Sequence, residues 1–218
     1  MPIPTDEFIR DARAHLAKVD PALAVADALT PAFPWRVREA GFAAMIRMIL
    51  GQQVSTASAD AHWRKLQEGV GSVTSTHLVR FAPEELKAFG LSGQKASYVL
   101  ALAEAEQSGL LDFDGLGARS DDEASALLTS IKGIGRWTAE GYLMGSLGRT
   151  DIFPAADLAL QEGLRIAQGS DKRLSVKALY ERADGWRPYR AVAAHLLWAF
   201  YSGVKAGRIT PTASTGTA

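Results

Sequence analysis

The chain has 218 residues, 47% of them hydrophobic and 22% charged, enough for one large domain or two small lobes with a sizeable core. It contains no cysteine, which excludes disulfides, zinc–cysteine sites and cysteine-ligated iron–sulfur clusters. Its 24 basic and 24 acidic side chains cancel, so any attraction for a polyanion has to come from a local patch.

The opening MPIPTDEFIRDARAHLAKVD carries charges throughout and lacks the apolar core of a secretory signal. No stretch approaches an uninterrupted membrane span, so a soluble cytoplasmic protein is expected. DEFIRDARAHLAKV predicts the first helix. Phe42, Met45, Ile46, Ile49 and Leu50 recur at i, i+3, i+4, i+7 and i+8, the stripe of a helix facing a core. ASADAHWRKLQEG, PEELKAFG and QKASYVLALAEAEQSG continue the helical pattern. The acidic SDDE suits a helix start and leads into Ala124, Leu127, Leu128 and Ile131. DLALQEGLRIA, SVKALYERA and YRAVAAHLLWAFYSGVKA complete the series. No run alternates with period two, so the fold class is all-α. Residues 209–218, small and polar, are expected to be a disordered tail. His15, His62, His77 and His195 are scattered without a metal-ligand pair, so neither a metal nor a cofactor is expected.

SIKGIGRWTAEGYLMG, residues 130 to 145, reads as a helix end, a glycine turn and a new helix. Such a turn either joins two helices or presents successive N–H groups at a helix start to an anion, with Lys132 and Arg136 adding positive charge. Dinucleotide-binding and P-loop spacings are not met. Twenty-two residues after Gly135, Asp157 stands at the start of the DLALQEGL helix, where it can be an N-cap, a functional carboxylate, or both.

GIGRWTA followed by DIFPAADLAL resembles the helix–hairpin–helix DNA glycosylases, and more narrowly their alkylation-repair branch, the DNA-3-methyladenine glycosylase II group. FAAMIRMILGQQVSTASA, FGLSGQKASYVLALAEA and WRPYRAVAAHLLW agree, in unbroken order from about residue 39 to 204. The resemblance implies two helical lobes, residues 1–40 with 152–208 and residues 41–151, with the active site in a cleft between them. It implies that Gly133, Ile134, Gly135 and Arg136, with Lys132 in place of the family's usual proline, grip the DNA backbone. It makes Asp157 the catalytic carboxylate, stabilising positive charge that builds on the sugar. In the strand-nicking branch a lysine two residues after the second glycine attacks the sugar. Trp137 stands there, which implies hydrolysis without lyase chemistry.

The resemblance further places Trp137 and Trp198 at the base pocket, where an indole face attracts a cationic base; both also fit plain core positions. Trp186, Tyr189 and Arg190 are assigned to structure. Gln53 is the expected wedge filling the duplex once a base is flipped, with Gln52 beside it; a polar turn capped by Ser55 is the alternative. Gly141 stands where longer members carry a pocket-narrowing tyrosine, which predicts a more open pocket. The expected function is excision of 3-methyladenine, 7-methylguanine and related lesions, extending to 1-methyladenine and 3-methylcytosine. Double-stranded DNA is the expected partner of a monomer working at the nucleoid. A non-catalytic helix–hairpin–helix binding module and an oxidised-guanine glycosylase with lyase activity are the alternatives.

Overall fold

Thr5 and Asp20 show how local chemistry sets the first two helices. In a computed structural model that describes residues 3–211, α1 spans Asp6–Val19 and α2 spans Pro21–Leu29. The Thr5 hydroxyl accepts from Phe8 N–H, and Asp6 and Glu7 complement the first-turn dipole. Asp20 caps α2 through Ala22 N–H and Leu23 N–H, with Pro21 at the position where a missing N–H costs nothing. Arg13 of α1 closes the other end of α2, bonding the Asp27 carboxylate and the Asp27, Thr30 and Pro31 carbonyls.

Seven further helices follow: α3 Phe42–Gly51, α4 Thr56–Val70, α5 Ser75–Leu78, α6 Pro83–Ala88, α7 Gly93–Gln107, α8 Asp121–Thr129 and α9 Arg136–Gly145. Then come α10 Leu158–Ala167, α11 Val176–Asp184 and α12 Arg190–Lys205. A 3-10 turn covers Gly115–Ala118, and there is no strand among the described residues. The all-α class is therefore observed.

The chain divides into two units, one of residues up to Val37 with those from Gly148 onward, the other Arg38–Leu147. These boundaries lie a few residues before those read from sequence. Arg38 N–H donates to Gly145 O, which ties the segment before α3 to the end of α9. Ala191 N–H donates to Thr150 O, which ties the segment after residue 147 to α12.

In the Arg38–Leu147 unit, α3 packs on α4, α7 and α9, and α8 packs on α9. The five stripe residues of α3 are all buried. Tyr142 of α9 is fully buried, and its hydroxyl accepts from Gly41 N–H at 2.7 Å. Burial pushes that phenol's pKa up.

In the other unit, α12 packs on α10, α2 and α1. A Cβ at Gly163 of α10 would lie 2.8 Å from Leu197 O, so only glycine permits this approach to α12. Asp20 is also the hub of this unit. Its carboxylate accepts Arg182 Nε and Nη2, both at 2.7 Å, and Trp186 Nε1 at 2.9 Å. Arg190, the first residue of α12, and Arg187 both bond the Asp151 carboxylate. Of the expected tail, residues 212–218 lie outside the described residues. Ile209 N–H donates to Gly203 O, and its side chain lies over Gly203.

Candidate active site

Asp157 is the N-cap of α10: its Oδ1 accepts from Ala159 N–H at 2.9 Å and Leu160 N–H at 3.1 Å. Trp198 Nε1–H donates to the same oxygen at 3.2 Å. Both sequence readings of Asp157 therefore start from one geometry, a carboxylate fixed by three donors at the positive end of a helix. The preceding loop is held as firmly. Phe153 is buried edge-on against Trp186, with ring centroids 5.0 Å apart. Asp157 N–H closes a turn on Pro154 O, and the buried Gln161 amide donates to Ala155 O. Behind Trp198, His195 packs edge-on at 5.6 Å and stacks on Trp35 at 4.0 Å. The resemblance implies a base-pocket position for Trp198, with a core position as the alternative; the bond from its N–H to Asp157 carries no signal in the sequence.

The other expected residues lie in the Arg38–Leu147 unit. Gly133 has φ +93°, a left-handed conformation that side chains resist, and a Cβ there would overlap the Tyr98 ring. Gly135 differs. Its φ is −81°, and a Cβ would meet nothing within 4 Å, so neither backbone nor neighbour demands glycine. It leaves the start of α9 without a side chain over the first turn. Ile134 is buried and its N–H bonds Ile131 O, so it anchors the hairpin from inside. Lys132 is exposed. Arg136 pairs with the buried Glu140 at 2.9 Å while its own side chain stays 61% exposed.

Gln52 and Gln53 part company. Gln52 Nε2 donates to Gly133 O and Thr138 Oγ1, each at 3.0 Å, a strut from the α3–α4 turn to the hairpin. Gln53 is exposed and has φ +58°, the one non-glycine positive φ among the described residues. At the end of α3, just before this turn, Lys95 Nζ donates to Leu50 O, and burial pulls the pKa of that ammonium down. These bonds at Leu50 and Gln52, just before Gln53, fix the backbone that carries a conformation away from its preferred region.

Trp137 is 39% exposed and borders a cavity of about 570 Å³ with Ala44, Met48, Gly51 and Val54. Gly141 stands against Met48, whose Cε lies 3.0 Å from the position a Cβ would take. The space that the sequence reading left open at Gly141 thus borders a thioether, because α3 carries methionine where it faces α9. Neither Met48, Tyr98, Lys95 nor Thr138 was singled out from sequence; each acts through a contact distant along the chain. Among the described residues no group of His, Asp and Glu could hold a metal ion, and no helix is long and apolar enough to cross a membrane.

A DNA-3-methyladenine glycosylase 1 from Schizosaccharomyces pombe is 32% identical over 158 residues, covering 71% of this chain and 69% of that protein. The chain spans less than half the length of some other relatives it matches. Among solved structures, a DNA-3-methyladenine glycosidase from Bacillus halodurans superposes with a TM-score of 0.80 at 29% identity, over 94% of this chain and 95% of that one. The S. pombe 3-methyladenine DNA glycosylase Mag1, in complex with abasic DNA, superposes with a TM-score of 0.74 at 28% identity, over 86% and 95% of the two chains. The profile of the HhH-GPD superfamily of base excision DNA repair proteins matches residues 46–188. This chain belongs to that superfamily.

Proposed function

We propose that the protein is a monofunctional DNA glycosylase that flips alkylated bases out of duplex DNA and hydrolyses their N-glycosidic bonds. The observation that carries this reading is Asp157: an aspartate whose Oδ1 is fixed by two α10 amides and the Trp198 indole, in a chain of a base excision repair superfamily. Breaking the glycosidic bond builds positive charge on the sugar. A carboxylate held in place before that charge develops needs no reorganisation, and such a group is worth roughly 10²–10³ in rate. A purine alkylated at N3 or N7 is already cationic and leaves as a neutral molecule, so no strong general acid is required for it. Asp157 is also suited to orient the attacking water.

The hairpin supports DNA binding. With no side chain at Gly135, a phosphate can approach the start of α9, and Lys132 stands exposed beside it. Gln53 is the wedge in this reading, and Gln52 is the strut that links the wedge turn to the hairpin. Flipping a base costs a few kcal/mol of stacking and pairing, which a pre-formed wedge offsets. Trp137 offers its indole to the cationic base, worth roughly 0.5–2 kcal/mol that a neutral base would miss. Two residues after Gly135 there is this indole and no amine, so no Schiff base forms there.

The test is strand scission. On methylated duplex DNA, base release should leave an intact strand that breaks only in hot alkali. Breaks without alkali, with a covalent adduct trapped by borohydride, would establish a lyase instead.

A further inference from the structure

Met48 is the side chain that answers Gly141. It projects from α3, half-buried, with its terminal methyl 3.0 Å from where a Cβ at Gly141 would stand. The same side chain lines the cavity of about 570 Å³ that Trp137 borders, with Ala44, Gly51 and Val54. On each side of it along this face of α3 are a small residue, Ala44, and a residue without a side chain, Gly51. Arg38, Glu39, Arg47 and Asp60 also line this cavity, and within its apolar part Met48 is the long, unbranched side chain beside Gly141. Methionine fills irregular gaps and changes rotamer readily, whereas a tyrosine at 141 would be a fixed wall.

We propose that Met48 sets the size of base this chain accepts, packing on small alkylated purines and swinging aside for adducts that carry an added ring. This rests on the base-excision reading and on Trp137 bordering the flipped base. It concerns selectivity between lesions rather than the chemical step, so Met48 is a specificity-determining residue.

The test measures relative kcat/KM for 3-methyladenine in methylated duplex DNA and for ethenoadenine in a defined duplex. Met48→Ala should raise the ethenoadenine to 3-methyladenine ratio about 10-fold, the low end for one methylene in an apolar pocket, because charged side chains share the lining here. Gly141→Ala should lower the ratio, because the added methyl pushes the thioether toward the cavity. Its methyl meets only the far end of a flexible side chain, so this variant should fold and can carry the test alone. The double variant should return toward wild type, since the two side chains compete for one space. A role confined to packing would lower the melting temperature and leave the ratio alone. An unmoved ratio in folded variants, or both single variants shifting it the same way, overturns the proposal while the base-excision reading stands. Release of neither base by the wild type overturns that reading, and this proposal with it.

Discussion

Gly133→Ala tests whether the hairpin is built as described. At φ +93° an alanine meets the left-handed penalty, about 1–2 kcal/mol. Its methyl would also stand 2.6 Å from Tyr98 Cβ and overlap Cγ and Cδ1 of the ring. Ordinary carbon contacts are about 3.5–4.0 Å, so the ring or the hairpin must move. Overpacking of this kind costs typically about 1–3 kcal/mol, which brings the expected loss to about 2–5 kcal/mol. Urea denaturation measures it. In a Tyr98→Ala background the overlap with the ring should vanish while the backbone share and the 2.6 Å contact with Cβ remain, leaving a coupling of up to about 1–3 kcal/mol between the sites. Duplex binding should weaken in the single variant, because the displaced turn carries the start of α9. A loss below about 1 kcal/mol would show that the turn does not require glycine at 133, and the same loss in both backgrounds would show that the Tyr98 ring does not restrict it.

Asp20 controls acid stability. Burial alone would raise its pKa, but the hydrogen bonds and charge of Arg182, with the Trp186 indole, outweigh burial and hold it below the ordinary aspartate value. The unfolded chain therefore takes up this proton first as pH falls. The stabilisation is present above about pH 4 and is lost as pH drops through the lower folded value. Asp20→Asn should cost about 3 kcal/mol at neutral pH, the low end for breaking a buried pair since Arg182 is 25% exposed, and should flatten the acid limb of a stability–pH curve. Gln52→Ala removes the two bonds to Gly133 O and Thr138 Oγ1 at a cost of about 1–2 kcal/mol. It should slow excision from fully paired duplexes more than from mismatched ones, where flipping is easier; equal slowing of both would contradict the strut.

How much of this was legible beforehand depends on the range of the forces involved. Helix α1 was read at its observed bounds because Thr5, the acidic first turn and the apolar stripe are all local signals. Helix α2 was not read: PALAVADAL has little contrast between its faces, and its signal was the Asp20–Pro21 pair, a cap followed by proline at the first helical position. Asp157 was legible as a residue at a helix start, but the Trp198 bond that orients it joins positions 41 apart. Gln52 is expected from the resemblance only as the residue beside the Gln53 wedge; its amide turns to carbonyl and hydroxyl acceptors more than 80 residues away. The pairing of Met48 with Gly141 likewise exists only once α3 and α9 pack. Sequence patterns report periodicity and caps well, and report poorly which side chain fills the space another leaves.

The charge of Asp157 is what the proposed chemistry requires, and Asp157→Asn isolates it. Asparagine is an equally good N-cap, and its side-chain oxygen can still accept from Ala159, Leu160 and Trp198, so the fold and the α10 cap are kept. Single-turnover release of methylated base from duplex DNA is the measurement, with melting temperature and duplex affinity as controls. The release rate should fall about 10²–10³-fold with both controls unchanged. Release at the wild-type rate would show that the carboxylate does not stabilise the reacting sugar, and the proposed mechanism would be wrong.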